Sequence, residues 1–186
     1  MKLIVGLGNP GRQYAGTRHN VGFDLIARVS ARLGATTPRA RFQGEVSEAT
    51  LAGEKVLLLT PLTFMNLSGG SVLEARDFFK IACEDVLVIC DDLNLPLAKL
   101  RFRSNGSAGG QKGLADVIRR LGTEEIPRLR FGIGSPPPGR DVAGFVLAKF
   151  SAEEKAEIEI GYGIAENAIC DWIGQGIKFC MNKYNG

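Results

Sequence analysis

The chain has 186 residues, with 23 lysines and arginines against 20 aspartates and glutamates, and a formal net charge of +3. Hydrophobic residues make up 45% of it and charged residues 23%. This length suits one domain, 1–186, with an ordinary core. The charge balance excludes a charge-rich disordered chain and a strongly basic nucleic-acid tail. The chain also has 24 glycines but a single histidine.

The cysteines and the N-terminal segment bear on the cellular compartment. None of the four cysteines lies in a C-x-x-C pair, and one histidine cannot complete a Cys₂His₂ set, so no metal site is expected. Four cysteines are too sparse for a disulfide scaffold in a chain of this length. The short apolar stretch after Lys2 is too short for a secretory signal, and no run approaches a membrane span. We therefore expect a cytoplasmic protein that does not associate with membranes.

A strand, a helix and a hairpin are predicted first along the chain. Lys2–Leu7 is a short apolar run that ends in glycines, as in a buried strand. Apolar residues at helical spacing predict a helix over 20–33, closed by a glycine. Residues 45–51 and 55–60 flank an Ala-Gly turn and predict a β-hairpin.

The rest of the chain continues this alternation of helices and strands. Helices are predicted over 71–81 and 114–121, and strands over 85–90, 99–103 and 129–133. The run DVLVIC is the clearest strand because it is apolar on both faces. An S-x-x-E capping box then opens a C-terminal helix. This order predicts an α/β fold: one three-layer domain whose twisted, mixed, mostly parallel sheet has helices on both faces.

Charge is spread unevenly along the chain. Residues 12–41 carry six arginines against one aspartate, and residues 99–130 carry eight basic residues against three acidic ones. The intervening segment 42–98 is acidic. The second basic segment contains the glycine-rich loop 104–113, so phosphate binding is a hypothesis for it.

The first motif, Gly6–Gly11, reads G-x-G-x-x-G after a strand, the pattern of a dinucleotide site. Its context does not fit, because a polar segment broken by Gly16 follows in place of a helix. No acidic residue ends a second strand about 20 positions later. Nucleotide binding is thus the weaker interpretation, and a tight turn that presents Asn9 at the carboxyl edge of the sheet is preferred.

The single histidine, His19, lies between that polar segment and the first helix. Asp91 and Asp92 follow the DVLVIC strand. If this strand and the first strand are neighbours, one of the two carboxylates can reach the imidazole. Such a pair fixes the tautomer and stabilises the imidazolium, as general-base catalysis requires.

Other chemistries are weaker interpretations. Cys90 is a conceivable nucleophile, but it ends a buried strand, where a thiol is inert. The tandem aspartates could bind Mg²⁺, although no further ligand cluster accompanies them. Asn66, in T-F-M-N-L-S-G, either caps the next helix or orients a water or a carbonyl group. Water activated by His19 is the simpler proposal.

Taken in order, these motifs resemble those of the bacterial peptidyl-tRNA hydrolases. The set comprises KLIVGLGNPG, TRHNVG, TFMNLSGG, DDLNLP, a G-G-x-x-G-L loop and FGIG. It continues through GFVLAKF to the terminal MNKYN, so that it covers nearly the whole chain. Each motif alone is weak, whereas the ordered set is highly specific.

The resemblance implies a monomeric enzyme that hydrolyses the ester between a peptide and the 3′-terminal ribose of tRNA, which recycles tRNA after premature drop-off. It implies that His19 activates water, that Asp91 holds His19 in its basic form, and that Asn9 helps to distinguish N-blocked from free aminoacyl-tRNA. Contacts with the acceptor stem, the 3′ end or the peptide are implied for Tyr14, Phe64, Met65, Asn66 and Lys112. No cofactor, metal ion or covalent intermediate is implied.

The chain departs from the family pattern at four positions, two of them in the glycine-rich loop. The loop usually written G-G-H-N-G reads G-G-Q-K-G, so Lys112 supplies a mobile charge where asparagine offers directed hydrogen bonds. Cys90 and Asn94 replace residues that are commonly His and Asp. Because of Lys112, a non-catalytic RNA-binding relative is the alternative function, although the intact site residues argue against it.

Overall fold

A seven-stranded sheet forms the middle layer of the molecule, with the strand order β2-β3-β4-β1-β5-β7-β6. The computed structural model describes all 186 residues. The strands are β1 (Lys2–Gly6), β2 (Arg39–Arg41), β3 (Gly44–Leu51), β4 (Glu54–Pro61), β5 (Val86–Asp92), β6 (Leu100–Arg103) and β7 (Arg128–Gly132).

The pairing of the strands makes the sheet mixed and mostly parallel, which confirms the prediction. β1 pairs in parallel with β4 and β5, and β5 pairs in parallel with β7. The pairs β2–β3, β3–β4 and β6–β7 are antiparallel. Only β3 and β6 therefore run against the other strands. The direct contact between β1 and β5 brings their carboxyl ends to the same edge, where open α/β sheets place their sites.

Helices cover both faces of the sheet, as predicted. They are α1 (Val21–Leu33), α2 (Ser68–Phe79), α3 (Lys112–Leu121), α4 (Val142–Val146) and α5 (Ala152–Tyr184). One face packs against α1 and α5 in a core that contains the buried Trp172. The other face packs against α2 and α3 in a smaller core. None of the helices combines the length and apolar composition needed to cross a membrane.

Local signals in the sequence account for most of these elements. β5 is buried along its whole length, as its apolar character on both faces requires. Gly34 ends α1 in the left-handed conformation, with φ of 59°. Ser151 and Glu154 form the predicted capping box at the start of α5.

Some predicted boundaries were wrong. α2 covers 68–79 in place of 71–81, and α3 begins two residues earlier than predicted. β5 extends through Asp92, so the tandem aspartates lie inside the strand. β2 and α4 were not predicted, because each is very short and largely exposed and so carries no clear hydrophobic period.

Two glycines bring α1 directly against β1. A Cβ added at Gly6 would lie 2.1 Å from the carbonyl oxygen of Gly22, and one added at Gly22 would lie 2.4 Å from that of Leu7. Neither position has space for a larger residue. This close approach places the polar turn before α1, which contains His19, beside the ends of β1 and β5.

Candidate active site

A cleft of about 670 Å³ lies at the carboxyl edge of the sheet, between the ends of β1 and β5, the glycine-rich loop before α3, and α4. It is lined by all but one of the predicted site residues: Asn9, His19, Phe64, Met65, Asn66, Asp91 and Lys112. Tyr14 is the exception, and it lies in a helical turn outside the lining of this cleft.

His19 and Asp91 form the central pair of the cleft. His19 Nδ1 lies 2.7 Å from Asp91 Oδ2, and the two side chains are 15% and 4% exposed. Because a carboxylate only accepts hydrogen bonds, this contact assigns the proton to Nδ1 of the neutral ring and leaves Nε2 as the acceptor. The expected approach of a carboxylate to the imidazole is therefore present, and Asp91 is the one that makes it.

Asp92 has different partners, since successive side chains of a strand point to opposite faces. Its Oδ1 accepts the backbone N–H of Asn94 at 2.8 Å, and its Oδ2 lies 3.2 Å from Arg130 Nη1. The two aspartates therefore do not converge on one ion. No group of three or more His, Cys, Asp or Glu side chains is arranged to hold a metal ion.

Gln111 is a further partner of Asp91, and no role was predicted for it from the sequence. Its Nε2 donates to Asp91 Oδ1 at 2.9 Å, and its Oε1 accepts the backbone N–H of Leu114 at 2.7 Å. The side chain is thus also the N-cap of α3. Because the cap requires the oxygen, the amide must point its donor end at Asp91. Its position immediately before α3 could have indicated a helix cap. The predicted start of this helix was two residues too late, so the cap was not recognised.

The amide of Asn9 is held in one orientation. Its backbone N–H and C=O are both bound by the side chain of Asn20, each at 2.9 Å. Its Oδ1 accepts the backbone N–H of Met65 at 2.8 Å. The Nδ2 donor therefore has no partner within the protein and is available to a ligand.

The segment after β4 contributes side chains of different exposure. Phe64 is 56% exposed and Met65 is buried, with its sulfur 3.2 Å from Gln111 Nε2. Asn66 is exposed and does not cap α2, whose N-cap is Leu67. The helix-cap interpretation of Asn66 is therefore wrong, and its amide is free at the cleft.

A cluster of arginines adjoins the cleft. A pocket of about 310 Å³ shares Asp92, Asn94 and Arg130 with it and is also lined by Arg101, Arg103 and Arg128. We call it the arginine pocket. The backbone N–H groups of residues 107–110, in the neighbouring loop, make no hydrogen bond within the protein. The second basic segment of the sequence is thus concentrated beside the cleft, in a form suited to anions.

Arg128 is fully buried and organises that loop. Its guanidinium donates to backbone carbonyl groups of two segments: Gly106, Ser107, Glu124 and Ile126. Burial without a carboxylate partner lowers its pKa from the usual arginine value. Arg130 donates to the same Ser107 carbonyl at 3.0 Å. The two arginines of β7 therefore fix the path of the glycine-rich loop.

Two arginines of the first basic segment are engaged elsewhere. Arg18 Nη2 donates to both carboxylate oxygens of Glu154, and the guanidinium lies over the rings of Phe145 and Phe150. Arg28 pairs with Glu159 and Glu166 of α5. These contacts join α1 and the turn before it to α5, so this part of the charge stabilises the fold.

Cys90 is inert at neutral pH. It is 1% exposed, and burial raises the pKa of its thiol to about 12. A thiolate nucleophile is therefore not available at this position.

Comparisons with known proteins give a consistent result. The family model described as peptidyl-tRNA hydrolase matches residues 3–186. A protein of that name from Rhodopirellula baltica is 50% identical over 185 residues, covering 100% of this chain and 97% of the relative. One from Desulfitobacterium hafniense is 49% identical over 185 residues, covering 100% of both.

Solved structures agree with the sequence matches. The crystal structure of peptidyl-tRNA hydrolase from Acinetobacter baumannii superposes with a TM-score of 0.93 at 34% sequence identity. The alignment covers 100% of this chain and 95% of that one. Nothing in these matches supports the non-catalytic alternative.

Proposed function

The chain belongs to the peptidyl-tRNA hydrolase family and hydrolyses peptidyl-tRNA, and from this premise we propose that His19 activates the water that attacks the ester. The hydrogen bond of 2.7 Å between His19 and Asp91 is the observation that carries the proposal. It leaves the basic nitrogen of the only histidine free in a cleft that is lined by polar side chains.

The proposed step moves one proton from water to His19 Nε2 while the water oxygen attacks the ester carbonyl carbon. Asp91 stabilises the imidazolium that forms. The bond between the carbonyl carbon and the ribose oxygen then breaks, and the proton passes to that oxygen. A positioned general base contributes roughly 10²–10⁴-fold to the rate.

Asn9 is proposed to stabilise the tetrahedral oxyanion. Its oxygen is bound by the Met65 N–H, so its Nδ2 is the end that faces substrate. A donor held in place before reaction contributes about 10²–10³-fold at such a position. Asn66 is a second amide at the cleft and is proposed to hold the substrate carbonyl or the attacking water.

The tRNA is proposed to lie on the arginine side of the cleft. The arginine pocket and the unpaired loop N–H groups suit the phosphates of an acceptor stem and 3′ end. Lys112 adds charge at the start of α3, and the exposed ring of Phe64 offers a surface for base stacking. Tyr14 lies outside the cleft lining, so its proposed contact is with RNA or peptide beyond it.

We propose further that the reaction uses neither a metal ion nor a covalent intermediate. The tandem aspartates point to different partners, and the buried thiol of Cys90 is protonated at neutral pH. A general base, a carboxylate that orients it and amide donors are sufficient for the hydrolysis of an ester, because an ester has a better leaving group than an amide. The proposal also takes the active enzyme to be a monomer.

The test is the release of N-acetyl amino acid from N-acetyl-aminoacyl-tRNA by the wild type and by His19→Ala. We expect the variant to lose at least about 10²-fold in kcat, with tRNA binding retained in a filter or fluorescence assay. Free aminoacyl-tRNA is the control substrate and should be hydrolysed poorly by both. Turnover by His19→Ala at a near wild-type rate would refute the assignment.

A further inference from the structure

A second groove leaves the cleft at Asn9 and runs between α1 and the β3–β4 hairpin. It has a volume of about 550 Å³, and we call it the α1 groove. Its α1 side is formed by residues at helical spacing: Asn20, Phe23, Asp24, Ala27 and Ser30. Ten residues of helix span about 15 Å, which is the length of four or five residues of an extended peptide at about 3.3 Å each.

The α1 groove has a negative charge. Asp24 and Glu45 are its only charged lining residues, and no lysine or arginine lines it. Asp24 is partly buried and accepts a hydrogen bond of 2.9 Å from the hydroxyl of Tyr162. Glu45 is exposed, and its carboxylate has no hydrogen bond or ion pair within the protein.

The strand register explains why Glu45 is free. Its cross-strand neighbours are Ala40 on β2 and Thr60 on β4, both uncharged. The adjacent Arg41 lies over the rings of Phe42 and Phe78, away from the groove lining. The Glu45 carboxylate forms no ion pair within the protein, and no lysine or arginine lines the groove, so the groove disfavours a phosphodiester backbone.

The three cavities follow one another in an order that matches the substrate. The arginine pocket shares Arg130 with the cleft, and the α1 groove shares Asn9 with it. Peptidyl-tRNA likewise has a polyanion on one side of its ester and a peptide on the other. With the ester at His19 and the RNA at the arginines, the peptide is directed to the α1 groove.

We propose that the α1 groove binds the peptide part of the substrate and favours lysine or arginine a few residues before the esterified one. This inference rests on the proposed function, since it requires the ester to lie at His19 and Asn9. Pro10, Phe23 and Leu62 provide apolar contacts for the other side chains, and Glu45 provides the charge that selects among them.

The experiment compares two N-acetyl-pentapeptidyl-tRNAs that carry either lysine or glutamate at the three N-terminal positions. An exposed ion pair contributes little by itself, but the glutamate substrate replaces that attraction by repulsion, so we expect kcat/KM to be about three- to tenfold higher for the lysine substrate. Because the readout is a ratio within each protein, a general change in activity cancels. In Glu45→Lys the ratio should fall below one.

Glu48→Lys is the matched control. Glu48 is also exposed on β3 but lies outside the groove, so its variant should keep the wild-type ratio. A wild-type ratio of one, or equal ratios in the two lysine variants, would overturn the inference. Hydrolysis of N-acetyl-aminoacyl-tRNA, whose single residue does not extend along the groove, tests the proposed function separately. Its failure would count against His19, whereas its success with a ratio of one would count only against the groove.

Discussion

Gln111 donates to the oxygen of Asp91 that His19 does not use. The two contacts to the carboxylate are 2.9 Å from Gln111 to Oδ1 and 2.7 Å from His19 to Oδ2. The carboxylate is therefore held from both sides, and its plane is fixed relative to the imidazole. The position of this glutamine is in turn fixed by its cap on α3.

Gln111→Ala is expected to lower kcat about tenfold, because a hydrogen bond to a charged group contributes about 1.5–3 kcal/mol and is only partly replaced by water. The same change removes a helix cap, which costs about 1 kcal/mol of stability. Ser151→Ala controls for this second effect, since Ser151 caps α5 and does not line the cleft. Thermal unfolding should show a similar loss of stability for both variants. Steady-state kinetics should show a loss of kcat only for Gln111→Ala. If the two variants have equal kcat values, Gln111 contributes to the stability of the fold but not to catalysis.

Asp91→Asn is expected to reduce kcat by roughly 10²–10⁴-fold, because an amide can present its own N–H to Nδ1 and favour the wrong tautomer. The measurement is the steady-state kcat with N-acetyl-aminoacyl-tRNA. An unimpaired Asp91→Asn would contradict the role of the carboxylate.

Binding of tRNA is expected to weaken with salt, with a slope of log K against log salt between about −1.4 and −3.6 for two to four phosphate contacts. Arg103→Gln removes one charge from the arginine pocket and should make the slope less negative by about 0.7–0.9. Arg120→Gln is the control, because Arg120 is exposed on α3 and lines neither the cleft nor the pocket. If both variants bind and respond to salt alike, the pocket is not the phosphate site.

The buried thiols are expected to resist alkylation. Burial raises the pKa of Cys90 and of Cys180 to about 12, so at pH 8 neither forms appreciable thiolate. The partly exposed Cys83 should react with iodoacetamide in the native protein, and Cys170, whose thiol pKa is also raised by burial, should react more slowly. Peptide mass spectrometry with and without denaturant measures this difference. Cys90→Ala should retain kcat within about threefold, and a loss comparable with that of Asp91→Asn would restore the thiol as a candidate nucleophile.

Much of the site could be predicted from the sequence because parallel strands end at a common edge. At that edge the turn after β1 lies beside the end of β5. Asn9 therefore lies near His19 and Asp91. The strand pattern alone could not decide between Asp91 and Asp92, and only the family resemblance favoured Asp91. The choice depends on which face of β5 each side chain occupies, and hence on the register of the strand.

Other features depended on contacts distant in the chain. Gln111 acts through a helix that begins two residues before its predicted start, and through a carboxylate 20 positions away. Arg18 and Arg28 lie more than 130 residues before their partners in α5. No local sequence pattern therefore predicts these ion pairs. The α1 groove likewise depends on how a helix and a hairpin pack, which hydrophobic periodicity alone does not specify.

Arg128 also bears on the entropy of association. A loop rich in glycine would ordinarily be disordered before binding, and the ligand would have to order it at a cost of about 1–2 kcal/mol per residue. Here the guanidinium binds two carbonyl groups of that loop, Gly106 and Ser107, and two of the segment 124–126, in the free protein. If the RNA binds there as proposed, it meets a loop whose conformation is already fixed, and most of the ordering on association falls on the substrate.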